Sequence, residues 1–106
     1  MNNKIRTLLR ELKVGLQGIY SERLKGVYLY GSYARGENDS ESDVDVLVIL
    51  DRIDHYGAEV DRTGYLVSEL SLKYGVSISR IFVSQQDWVG YETPFLTNTR
   101  EEAILI

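Results

Sequence analysis

Gly31-Ser32, ten intervening residues and then Asp43-Val44-Asp45 are the residues of this chain whose types and spacing could do chemistry. The aspartates open an apolar run from Val44 to Leu50. In a strand, successive side chains alternate faces, so both carboxylates would leave one face roughly 7 Å apart at Cα. Two such carboxylates repel unless a cation sits between them. Hard oxygen ligands with an open side for phosphate oxygens suit Mg²⁺. Two ions about 3.5–4 Å apart can clamp the attacking and leaving oxygens of an in-line phosphoryl displacement.

The glycine turn supplies the other half of such a site. Val27-Tyr28-Leu29-Tyr30 reads as a buried strand that ends at Gly31. Ser32-Tyr33-Ala34-Arg35 can then start a helix, whose unpaired N–H groups suit a phosphate. Gly31 allows a sharp turn and close approach to a ligand. The Ser32 hydroxyl could donate to one phosphate oxygen and Arg35, one turn on, could reach another. Taken alone, a Gly-Ser pair is usually a plain turn and an Asp-x-Asp a solvated edge. Their order and spacing around an unbroken apolar strand point instead to a nucleoside triphosphate site.

These motifs resemble the signature of the DNA polymerase beta-like nucleotidyltransferase superfamily. The fuller string Gly31-Ser32-Tyr33-Ala34-Arg35-Gly36, with Ser42-Asp43-Val44-Asp45, is similar to its minimal nucleotidyltransferases, the MNT group. The resemblance implies an antitoxin paired with a HEPN-domain ribonuclease toxin, as a hetero-oligomer. The implied activity is transfer of AMP from ATP, with two Mg²⁺ ions, to a toxin hydroxyl, a tyrosine in the better-understood type. It also implies roles: Gly31, Ser32 and Arg35 bind the nucleotide, while Asp43 and Asp45 are the catalytic, metal-binding pair. The alternative is an antitoxin that keeps the scaffold and inhibits its toxin by complex formation alone.

One departure motivates that alternative. The superfamily normally carries a third carboxylate on a later strand, which here should be Val76 to Val83, and that run contains no acid. Ser79 is the expected occupant of the third position, with Ser77 next. A serine is a poor base near neutral pH, and general-base help is worth about 10²–10⁴-fold. Asp87, Asp61 and Glu59 are candidate substitutes.

Length and composition bound the rest. A chain of 106 residues with 43% hydrophobic residues and one proline is expected to form a single compact domain, residues 1–106. Sixteen acidic against 12 basic residues speak against a broad nucleic-acid surface. The absence of cysteine excludes disulfides and thiolate metal sites. With no signal-peptide core at Met1-Asn2-Asn3-Lys4 and no membrane-length apolar run, a cytoplasmic location is the default.

The elements that must position the motif alternate along the chain. Helical spacing runs from Lys4 to Tyr20 and from about Asp54 to Tyr74. Strands are expected at 27–30, up to Leu50 and at 76–83. A short helix at 85–91 should be broken by Pro94, and 99–106 should be a last helical or extended piece. The predicted fold is a small mixed α/β sandwich, a mixed β-sheet packed with helices, of the polymerase beta-like nucleotidyltransferase type. His55 is expected to be solvated or capping, Trp88 and Tyr91 to pack the C-terminal segment, and Arg80 to sit at a strand edge or face an acid or phosphate.

Overall fold

The computed structural model describes all 106 residues. Helix α1 (Asn3–Tyr20) is capped by Asn2, whose side chain accepts from the Ile5 N–H. Its buried stripe of Ile5, Leu8, Leu9, Leu12, Leu16 and Tyr20 follows the spacing expected from the sequence. A 3-10 turn, Ser21–Arg23, leads into β1 (Leu24–Tyr30), which starts three residues earlier than the apolar run suggested. The one-turn helix α2 (Ser32–Arg35), β2 (Val44–Leu50), α3 (Tyr56–Tyr74) and β3 (Ile78–Ser84) follow.

The C-terminal segment differs from expectation. Helix α4 (Gln85–Gly90) already ends at Gly90, with extended chain at Tyr91, and Pro94 instead starts α5 (Pro94–Glu102), with Thr93 as its cap. Proline is suited to a first helical position because the N–H it lacks would be unpaired there anyway. The chain then pairs Ile104–Leu105 with β1 as a short edge strand, β4.

The sheet order is β3-β2-β1-β4. Strands β1 and β2 are antiparallel, with Tyr30 opposite Asp45; β2 and β3 are parallel, with Asp45 beside Ser79. One face carries Val27, Leu29, Val44, Val46, Val48, Leu50, Ile78 and Phe82 into a core shared with α1 and α3. The other carries Tyr28, Tyr30, Asp45, Leu47 and Ile49 beneath α4 and α5, where Trp88 stacks on Tyr28 and Phe95 meets Tyr30 edge-on. The carboxylate of Asp45 therefore belongs to the α4/α5 layer, away from the main core.

Arg80 lies on the edge strand β3, on the face turned toward α3. Its guanidinium donates to Thr63 Oγ1 at 2.7 Å and to the Val60 carbonyl at 2.8 Å, tying β3 to α3. Trp88 packs on Tyr28, as a packing role requires, whereas Tyr91 is mostly exposed.

Candidate active site

Gly31 ends β1 with φ +76°, a backbone region that favours glycine. It caps α2, and Gly36, also left-handed at φ +72°, ends that single turn. A methyl group on Gly31 would run into the Asp45 carboxylate. The turn and the acidic strand thus meet in direct contact.

Asp43 stands one residue before β2 begins, and the Val44 N–H behind it already donates to the Ser77 carbonyl at 2.9 Å. The adjoining backbone is therefore held at the mouth of the sheet while the Asp43 side chain is solvent-exposed. Asp45 is half-buried. Burial first, then the Asp43 and Glu102 charges, raises its carboxyl pKa above the ordinary value, against an opposing pull from Arg35. Burial followed by the Asp45 charge also pushes the neighbouring Tyr30 phenol up to about 12. The site has an excess of negative charge.

A divalent cation fits that excess. No three acidic or histidine side chains group into a protein cage for a metal. Asp43 and Asp45 could hold such a divalent cation as the protein's share of the ligands, leaving positions for phosphate oxygens. When bound, the ion would neutralise charge that the carboxylates and phosphates concentrate there.

Arg35 is already engaged. It pairs with Glu37 at 3.3 Å and with Glu102 at 2.9 Å. Glu102, the last residue of α5, also accepts from the Gly31 N–H at 3.3 Å. Sequence reasoning missed Glu102 because 67 residues separate it from Arg35 and no local motif marks it.

The other candidate acids lie elsewhere. Glu59 is buried beyond the far end of β2, hydrogen-bonded to Tyr20, Arg23 and Arg62. Asp61 is exposed on α3. Asp87 sits in the first turn of α4, where its N–H is held by Ser84 Oγ. Its side chain borders a cleft of about 440 Å³ together with Tyr56, Ile81, Tyr91 and Phe95. Ser79 occupies the position beside Asp45 and Ser77 lies before the strand. His55 makes no side-chain cap at the start of α3; it lines a polar hollow with Arg23, Asp51 and Arg62.

Comparison with known proteins identifies the class of domain that carries this fold and this motif. Residues 6–103 match the family model described as the nucleotidyltransferase domain, and the chain belongs to that family. A Methanocaldococcus jannaschii protein named as a protein adenylyltransferase, MJ0604, is 37% identical over 78 residues, covering 74% of this chain and 72% of its own. A crystal structure of a toxin-antitoxin with AMP-PNP superposes with a TM-score of 0.54 at 22% identity, covering 97% of this chain and 69% of that one. A toxin-antitoxin MntA-HpeT mutant gives 0.53 at 20% identity, over 99% and 72%. The structural likenesses establish the fold: a mixed α/β nucleotidyltransferase architecture.

Proposed function

We propose that this chain is an MNT-type antitoxin that transfers AMP from ATP, with Mg²⁺, to a hydroxyl of a cognate HEPN toxin, a tyrosine being the expected acceptor. The observation that carries the reading is the contact between Gly31 and Asp45. It sets a glycine turn, which leaves room for close approach of a phosphate, against a carboxylate that Arg35 attracts without forming a salt bridge. The relative named as a protein adenylyltransferase supports a protein acceptor, and the toxin-antitoxin structure with AMP-PNP supports both nucleotide and partner.

In this reading Gly31, Ser32 and Arg35 hold the triphosphate while Asp43 and Asp45 hold the metal. The acceptor hydroxyl gives its proton to solvent as its oxygen bonds to the α-phosphorus, the bond from that phosphorus to the oxygen bridging to the β-phosphate breaks, and pyrophosphate leaves with the electron pair. Catalysis consists mainly of positioning and neutralising charge. The test is transfer of label from ATP marked at its α-phosphate to a toxin candidate encoded beside this chain. Label on the toxin, lost in Asp43→Asn/Asp45→Asn, is the expected result; undiminished transfer by the double variant overturns it.

A second reading rests on one specific observation: Ser79, not an acid, stands beside Asp45. Without a third carboxylate, the chain would silence its toxin by complex formation alone. A stable complex that inhibits without ATP and survives loss of both aspartates is its signature.

A further inference from the structure

Glu102 puts a carboxylate on two of the donors that a triphosphate would need. Its Oε1 accepts from the Gly31 N–H and its Oε2 from the Arg35 guanidinium. One carboxylate bridging a backbone N–H and a guanidinium reproduces how two phosphate oxygens would be held. We propose that Glu102 is an internal stand-in for phosphate, which nucleotide must displace from Gly31 and Arg35 before the site can load. This rests on the reading above that these two residues bind the triphosphate.

Three features make the contact exchangeable. Arg35 is 44% exposed and Glu102 25%, so their attraction is partly screened and of modest strength. Glu102 ends α5 and is followed by the non-helical Ala103, so release requires only a side-chain rotation at a helix terminus. An incoming triphosphate brings several negative charges against the Glu102 carboxylate, and like charges cannot share the same donors. Arg35 would keep Glu37 as a lateral partner during the exchange, since that pair uses Nε whereas Glu102 uses Nη1. The consequence is selectivity: weak anions do not displace Glu102, whereas a polyphosphate does.

The test is calorimetric titration of the full chain, in excess Mg²⁺, with an ATP analogue that cannot be cleaved between its α- and β-phosphates, and separately with inorganic tripolyphosphate, so that turnover does not enter. Glu102→Gln keeps the side chain's length but removes its charge. It should bind both ligands about three- to tenfold more tightly than the wild-type chain. Glu37→Gln, which loosens Arg35 without touching Gly31, should change binding less than about twofold. Unchanged or weaker binding by folded Glu102→Gln, or equal tightening by Glu37→Gln, overturns the proposal.

A measurement on the wild-type chain covers the case in which the variant fails to fold. The Glu102 carboxyl carbon resonance should move when tripolyphosphate saturates the site, and a fixed resonance overturns the proposal. If neither wild type nor Glu102→Gln binds either ligand, the nucleotide reading fails and this inference with it. Binding by wild type with no gain in the variant sinks the inference alone.

Discussion

Gly31 and Asp45 are in contact, leaving no room for a side chain on Gly31. Two separate restrictions fall on this glycine, its positive φ and the carboxylate against it. Gly36 has a similar φ but nothing within 4 Å of an added methyl group. Gly36 also lies in the ordinary left-handed region, at ψ 22°, whereas Gly31 at ψ −157° lies where essentially only glycine is at ease, so the two positions differ in strain as well as in contact.

Gly31→Ala should lower stability by about 1–3 kcal/mol and abolish ATP binding, because either the turn or Asp45 must move. Gly36→Ala should cost about 1 kcal/mol and leave binding nearly intact. Thermal melts together with ATP titration check both. Equal loss of binding in the two variants would overturn a special role for the Gly31–Asp45 contact.

Asp45 carries a destabilising charge in the metal-free chain, since burial and Asp43 outweigh Arg35, which is committed to Glu37 and Glu102. Asp45→Asn should raise the metal-free melting temperature at neutral pH by roughly 1–4 °C, the effect of removing one partly solvated unfavourable charge contact. The folded pKa is raised, so ionisation favours the unfolded chain. The cost is absent below the ordinary carboxylate range and appears as pH rises through the folded value. The two melting temperatures should converge in acid, and Mg²⁺ should stabilise the wild-type chain more than Asp45→Asn.

Much of the fold could be read from the sequence pattern, because α1 buries a stripe at helical spacing and β2 is a short unbroken apolar run buried on both faces. The Gly31 to Asp45 motif was equally legible, being local on both sides of one hairpin. What escaped the sequence were contacts between residues far apart in the chain. Arg80 finds partners on α3, 17 and 20 residues back. Glu102 reaches Gly31 only because α5 folds back over the sheet and β4 pairs with β1. The start of α5 was missed for a different reason: in sequence a proline such as Pro94 can end one helix or open another, and only the Thr93 cap decides between them.

Glu59 shows what a misplaced candidate acid does instead. It accepts from the Tyr20 hydroxyl and Arg62 at 2.9 Å, and from Arg23 at 3.2 Å. Burial acts to raise its pKa, but the hydrogen bonds from Tyr20 and Arg23, with the charges of Arg23 and Arg62, outweigh this and lower it. A lowered folded pKa stabilises above the ordinary carboxylate range, and that stability is lost as pH falls through the folded value. Glu59→Gln should cost about 1–3 kcal/mol at neutral pH, flatten part of the acid limb of stability, and leave ATP binding unchanged. Loss of nucleotide affinity in a folded variant would contradict the far-end placement.

Ser79 offers the sharpest test of the missing third carboxylate. In a parallel pair, register partners present their side chains on the same face, so an acid at 79 would stand beside Asp45. Ser79→Asp should first lower the metal-free melting temperature, because a third carboxylate joins a site that already holds excess negative charge. Mg²⁺ should then recover that loss and bind about tenfold more tightly than to the wild-type chain, since the added anion is a ligand as well as a repulsive charge. If the absent base is what limits transfer, label incorporation should rise by roughly 10²-fold. A lower melting temperature without any gain in Mg²⁺ affinity would mean that register brings the acid to the sheet face but not to the metal. Tighter Mg²⁺ binding without faster transfer would place the limit at the acceptor hydroxyl, which a partner protein must then present.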